Sequence, residues 1–213
     1  MKTGRDFEAT HVLDDGLCVR LRHIRPDDGE ELRRAFARLS PTSRFRRFFG
    51  GFDTLDDATV RYLTSVDGQD HVAIVAYTDS PDLKTDVGLG VARFIRLPDE
   101  PEVAEAAIVV VDDFQGRGIG ALLGDTLAAA ARERGITRFR AEVLASNGPA
   151  REPLEALHAH VVRADDDSIV FDVPLARPDG GPPARLEVLR RILGDVARQV
   201  VGFARSLRMR TPP

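Results

Sequence analysis

Apolar and polar positions alternate from Leu17 to Ile24, with Leu17, Val19 and Leu21 set against Cys18, Arg20 and Arg22. That period of two predicts a half-buried strand. Val12-Leu13 precede it across the turn residues Asp14-Asp15-Gly16, so a short strand and this longer one form a hairpin. The period then lengthens: Leu32, Phe36 and Leu39 predict a helix over Gly29 to Leu39, capped by Asp27 or Asp28. A second short helix starts at Ser40-Pro41-Thr42 and a third covers Asp53 to Thr64. Three strands follow, at His71 to Tyr77, Val87 to Ile95 and Val103 to Val111. Their connections are too short for helices, so they are antiparallel neighbours.

The pattern changes again at Gly118. Leu122, Leu123, Leu127 and Ala130 share one face of a helix running to Arg134, closed by Gly135, and Thr137 to Leu144 returns as a strand. A strand, helix and strand of this length make one right-handed parallel crossover. A fourth helix over Pro149 to Ala159 and a hairpin of Val161-Val162 with Ile169 to Val173 complete an α+β domain over residues 12–175. Residues 1–11 are expected to be a flexible N-terminus. The Pro- and Gly-rich residues 176–184 read as a linker. Beyond it, Leu186, Leu189, Leu193, Val196, Val200, Phe203 and Leu207 form a narrow apolar seam on an amphipathic helix over 185–209. That seam is expected to dock on the domain or pair with a second copy as a homodimer, rather than lie on a membrane.

Composition narrows the class. The 213 residues are 43% hydrophobic and 30% charged, enough apolar surface for a real core. The longest purely apolar stretch, Ala106 to Val111, is far too short to span a bilayer. The first residues lack a signal-peptide core, so a cytoplasmic protein is expected. The single cysteine, Cys18, excludes an internal disulfide and a thiolate zinc site, and reads as a small core residue. The net charge is −4, and residues 185–213 hold a local excess of Arg, so the main body is more acidic still and has no basic face for nucleic acid.

The chemistry concentrates where the third antiparallel strand meets the long helix, in Asp112-Asp113-Phe114-Gln115-Gly116-Arg117-Gly118-Ile119-Gly120-Ala121. Glycines at alternate positions let successive backbone N–H groups converge on an anion at the positive helix end. A nucleoside-triphosphate loop is excluded, because no Lys-Ser/Thr pair follows Gly120. Gly116-Arg117-Gly118-Ile119-Gly120-Ala121 fits the dinucleotide fingerprint, with Glu142 as the ribose-binding acid, but the antiparallel strands ahead of it and the single crossover argue against that fold. The remaining signature is Gln-x-x-Gly-x-Gly at Gln115, Gly118 and Gly120.

In that signature, its distance from the strand and the order of elements, the chain resembles the GNAT N-acetyltransferase superfamily over roughly residues 12–175. The Ala104-Glu105-Ala106-Ala107 context is nearest to bacterial protein-lysine acetyltransferase domains. The resemblance implies a mixed sheet with an antiparallel N-terminal meander, one parallel crossover and splayed central strands. It implies acetyl-CoA as cosubstrate, without metal, with the backbone of Ile108, Val109 and Val110 pairing with the pantetheine arm. Gln115, Gly116, Arg117, Gly118, Ile119, Gly120 and Ala121 would take the pyrophosphate, and Asn147 would contact the cofactor. Glu105 is implied as general base for an amine acceptor, a small molecule or protein lysine. The N–H of Val110, or of Ile108, is implied as the oxyanion donor. Where many members carry a Tyr as general acid, this chain has Leu154; His158 and His160 are alternative candidates. The acceptor pocket is expected from the first two helices and the loop around Arg44 to Phe52, where Arg44, Arg46, Arg47 and four Phe residues fall. A non-catalytic acetyl-CoA sensor and a dinucleotide-binding oxidoreductase are the competing functions.

Overall fold

The structure, a computed structural model, describes residues 3–4, 6–41, 54–79, 86–144, 159–166 and 168–175. Its strands are β1 (Glu8–Val12), β2 (Cys18–His23), β3 (His71–Asp79), β4 (Asp86–Leu97), β5 (Glu100–Val110), β6 (Arg138–Leu144), β7 (His160–Ala164) and β8 (Ser168–Pro174). The helices are α1 (Gly29–Ala37), α2 (Asp57–Thr64) and α3 (Ile119–Glu133), with 3-10 turns at Pro26–Asp28 and Asp112–Phe114. One eight-stranded sheet runs β1-β2-β3-β4-β5-β6-β8-β7. Its first five strands are antiparallel, as their short connections require. The crossover through α3 makes β5 and β6 the parallel pair, and among the described residues no other pair is parallel. A dinucleotide-binding fold needs several such crossovers, so that competing reading is overturned.

Strand alternation splits the core between the two faces of the sheet. Ala104, Ala106, Ile108 and Val110 of β5 pack with Leu123 and Leu127 of α3. On the other face Phe36, Leu39, Leu55, Val60, Leu63 and Ile95 cluster beneath α1 and α2, with Val109 against them. Leu123 and Leu127 are 0% and 1% exposed, so replacing either by Ala should cost about 2–5 kcal/mol. Gly135 ends α3 at φ +76°, with Ile136 N donating to Ala131 O (3.0 Å) and Gly135 N to Arg132 O (3.1 Å). These bonds satisfy carbonyls the helix end would otherwise orphan.

Four expectations change. The N-terminal stretch is part of the fold: Glu8–Val12 pair with β2, and Thr3 is fully buried, its N and Oγ1 donating to Glu133 Oε2 at 2.9 and 2.7 Å. A carboxylate at the end of α3 is what holds it. Cys18 is exposed, because Val19 and Leu21, both 0% exposed, take the core-facing parity of β2. Asp28 makes no side-chain cap on α1; its carboxylate accepts from Arg25 N (2.7 Å) and pairs with Arg22 (2.6 Å) instead. The third helix starts at Asp57 rather than Asp53, because Asp56 caps it through Thr59 N (2.7 Å). The fourth helix, the linker and the C-terminal helix predicted above lie outside the described residues. No helix among the described residues is long and apolar enough to cross a membrane.

The ladder between β5 and β6 is short. Val103, Ala104 and Glu105 pair with Arg138, Phe139 and Arg140, and there the pairing stops. Beyond it β5 stays with β4 as far as Val110, and β6 stays with β8 as far as Leu144. The two central strands therefore part from Ala106 onward.

Candidate functional site

Which backbone groups face the parted strands follows from parity. Val111 N donates to Leu89 O of β4 (2.9 Å), while Thr137 N donates to Glu102 O from the β6 side (2.8 Å). Along a strand, successive residues address opposite neighbours. Odd-numbered residues of β5 thus address β4, and Ala106, Ile108 and Val110 turn their N–H and C=O toward the opening. Val109 is corrected on this point: its backbone belongs to β4, and its side chain packs on the α1 face. Gln115 Nε2 donates to Val110 O (3.0 Å), so one of the outward carbonyls already has a partner.

The glycine loop continues directly from this strand. Gly116 and Gly118 sit at φ +76° and +92°, a region L side chains rarely adopt. A Cβ built at either would meet nothing within 4 Å, so the glycines are required by conformation and border open space. Gly118 is the N-cap of α3 and supplies no side chain to it, and the first turn carries no acidic residue. Leu122 N donates to Gly118 O (3.1 Å), leaving the N–H groups of Ile119, Gly120 and Ala121 without an intrahelical acceptor. The side chain of Ile119 is buried at 1% exposure, so this residue contributes its amide alone. Strand groups of Ala106 and Ile108 that lack a β6 partner among the described residues adjoin helix amides with no intrahelical acceptor, which suits a long amide-bearing arm ending in phosphates.

Two carboxylates fasten the loop to elements far away in sequence. Asp112 accepts from Ser40 N (3.0 Å) and Ser40 Oγ (2.9 Å), joining the start of the loop to the end of α1. Asp15, in the turn between β1 and β2, accepts from Arg117 Nε. Arg117 also stands over the Phe114 ring, 5.6 Å from its centre. The hydrogen bond from Arg117, and then that from Leu17 N, hold the Asp15 carboxyl below its usual range. Reading the sequence singled out neither Asp15 nor Asp112 for this purpose, since no local signal marks partners 102 and 72 residues apart.

Glu105 occupies the last rung of the β5–β6 ladder, opposite Ile95 on β4 and Arg140 on β6. It is half-buried on the sheet face that carries α1 and α2. The same face holds a cleft of about 220 Å³ walled by Leu32 and Phe36 of α1 and Leu39 just beyond it, and floored by Gly88, Gly90 and Val109. Glu105 does not line that cleft. Arg93 does; it is 3% exposed and donates to Leu63 O (2.6 Å), tying β4 to the end of α2. The first helix forms one wall of this cleft, whereas the loop from Arg44 to Phe52 lies outside the described residues. Asn147, Leu154 and His158 lie outside them as well. His160 is on the exposed outer strand β7, in line with Asp172, Arg140 and Glu105 across the sheet. Three strand spacings of about 4.8 Å separate it from Glu105, too far to serve the same reacting centre.

The model of the family described as "Acetyltransferase (GNAT) family" matches residues 30–158. Acetyltransferase PA5475 of Pseudomonas aeruginosa is 33% identical over 156 residues, 73% of this chain and 82% of its own. Acetyltransferase Pat of Mycolicibacterium smegmatis is 32% identical over 187 residues, 85% of this chain but 52% of its own, so the chain spans about half of that relative. The crystal structure of the GNAT domain of S. lividans PAT is similar with a TM-score of 0.67 and 31% identity, covering 78% of this chain and 96% of that one.

Proposed function

The chain belongs to the GNAT acetyltransferase family and is an acetyl-CoA-dependent acetyltransferase; on that footing we propose that it acetylates a primary amine, of a protein lysine or a small molecule, by direct attack in a ternary complex. The observation that carries this reading is the parting of β5 and β6 immediately beyond Glu105, beside the uncapped start of α3. The bound cosubstrate supplies the thioester carbonyl. In this reading the backbone of Ile108 and Val110 pairs with the pantetheine arm, and the amides from Gly116 to Ala121 hold the diphosphate. Asn147 is proposed as a further contact.

Glu105 takes a proton from the acceptor ammonium, directly or through a water, which frees the nitrogen lone pair to attack the carbonyl carbon. The N–H of Val110, facing the opening, donates to the oxygen as negative charge develops there. The new C–N bond forms, the nitrogen gives up its second excess proton to water, the C–S bond breaks, and the leaving thiolate takes a proton from water. The cleft beneath α1 supports an acceptor approaching from the face that carries Glu105. Glu105→Gln is the test. Acetyl-CoA affinity should persist while turnover on an amine panel falls about 10²–10⁴-fold, the usual worth of a general base. Unchanged turnover would remove Glu105 from the mechanism.

A further inference from the structure

Arg117 is the one cation between Asp112 and Ala121, yet its carboxylate partner comes from outside the loop. Asp15 reaches it from the β1–β2 turn, accepting from Arg117 Nε through Oδ2 while Oδ1 accepts from Leu17 N at 3.0 Å. Both side chains are partly open to solvent, at 32% for Arg117 and 42% for Asp15. The Gln115 side-chain amide already donates to Val110 O, so the rest of the cradle offers backbone amides. Its single side-chain cation is therefore already committed to a carboxylate, although a guanidinium serves a phosphate equally well.

We propose that Asp15 is an internal counter-ion which a phosphate group of acetyl-CoA displaces from Arg117, so that Asp15 holds down the affinity of the chain for its cosubstrate. The proposal rests on the acetyl-CoA reading of the glycine loop. Exchange is cheap because a solvent-exposed ion pair contributes little. The guanidinium stays over the Phe114 ring and close to the loop while it changes partner. The released carboxylate turns to water, and the β1–β2 turn keeps its Leu17 bond. The counter-ion also compensates the charge of Arg117 whenever no phosphate does, which opposes tighter binding.

Calorimetric titration of acetyl-CoA into the full chain and into D15N, R117Q and the double variant tests this at about 20 mM and about 500 mM salt. Asn keeps an oxygen for Leu17 N, and an unchanged melting temperature shows the turn intact. D15N should tighten Kd about two- to fivefold at low salt, the range an exposed pair is worth. The gain should shrink at high salt and largely vanish in the R117Q background. An unchanged or weaker Kd in D15N overturns the proposal, since Asp15 would then be neutral or would pre-position Arg117. A gain that survives undiminished in R117Q overturns it too, because the carboxylate would be acting at a distance. Absence of any binding by the unaltered chain is a separate result, which sinks the underlying reading along with the proposal.

Discussion

The two halves of β5 contrast. From Val103 to Glu105 the strand is laddered to β6, and charge surrounds the junction: Arg140 makes two bonds to Asp172, at 2.7 and 2.8 Å, and two to Glu100, one of them at 3.0 Å, while Arg138 reaches Glu102 at 3.0 Å. From Ala106 to Val110 the ladder to β6 is gone, and the strand is flanked by glycines and an uncapped helix start. One half uses its hydrogen-bonding capacity internally, for stability. The other leaves it available to a ligand. The closed half anchors the open one, because strands can part without fraying only where they are fixed at the other end.

Substitutions should therefore separate the halves. Gly118→Asp places a side chain at φ +92° and a negative charge in the cradle, and acetyl-CoA binding should fall below detection by calorimetry while the fold survives. Binding at wild-type strength would remove the loop from the cosubstrate site. Asp172→Ala strikes the closed half. Asp172 has 5% of its side chain exposed and accepts two of the bonds Arg140 makes, so its loss leaves Arg140 with Glu100 alone and should destabilise the fold by about 1–3 kcal/mol in denaturant titration. Acetyl-CoA affinity, measured well below the lowered melting temperature, should stay near wild type, and a parallel loss of affinity would mean the halves are not independent.

The smallest effect concerns pH. The hydrogen bond from Arg140 holds the Glu100 carboxyl below its usual range. The stability it contributes is present above the unfolded carboxylate pKa and disappears as pH falls through the lower folded value. Glu100→Gln should remove a modest part of the acid sensitivity seen in melting curves, leaving neutral-pH stability slightly reduced. An identical acid limb in the variant would show that the pair is too solvated to matter.

Much of the site could be read in one dimension because its parts are contiguous. Asp112 to Ala121 combine a strand end, a turn and a helix start, and the φ values of Gly116 and Gly118 are local demands that glycine alone meets comfortably. Glu105 stood out as a charge on an apolar strand, and it does occupy the rung where the strands divide. Val109 and His160 lie away from the opening for one reason: backbone parity and strand order are properties of the sheet. Cys18 shares the parity of Arg20 and Arg22, so its exposure follows from the alternation itself.

Element types, the glycine loop and the single crossover follow from the sequence by itself, because periodicity, turn chemistry and backbone freedom act over a few residues. The point of divergence between β5 and β6, the outward aim of the Ile108 and Val110 backbones, and the pairing of Asp15 with Arg117 were decided only in three dimensions. Ladder register and ion-pair partners depend on distances between segments that chain order leaves unspecified, and packing around α3 sets those distances.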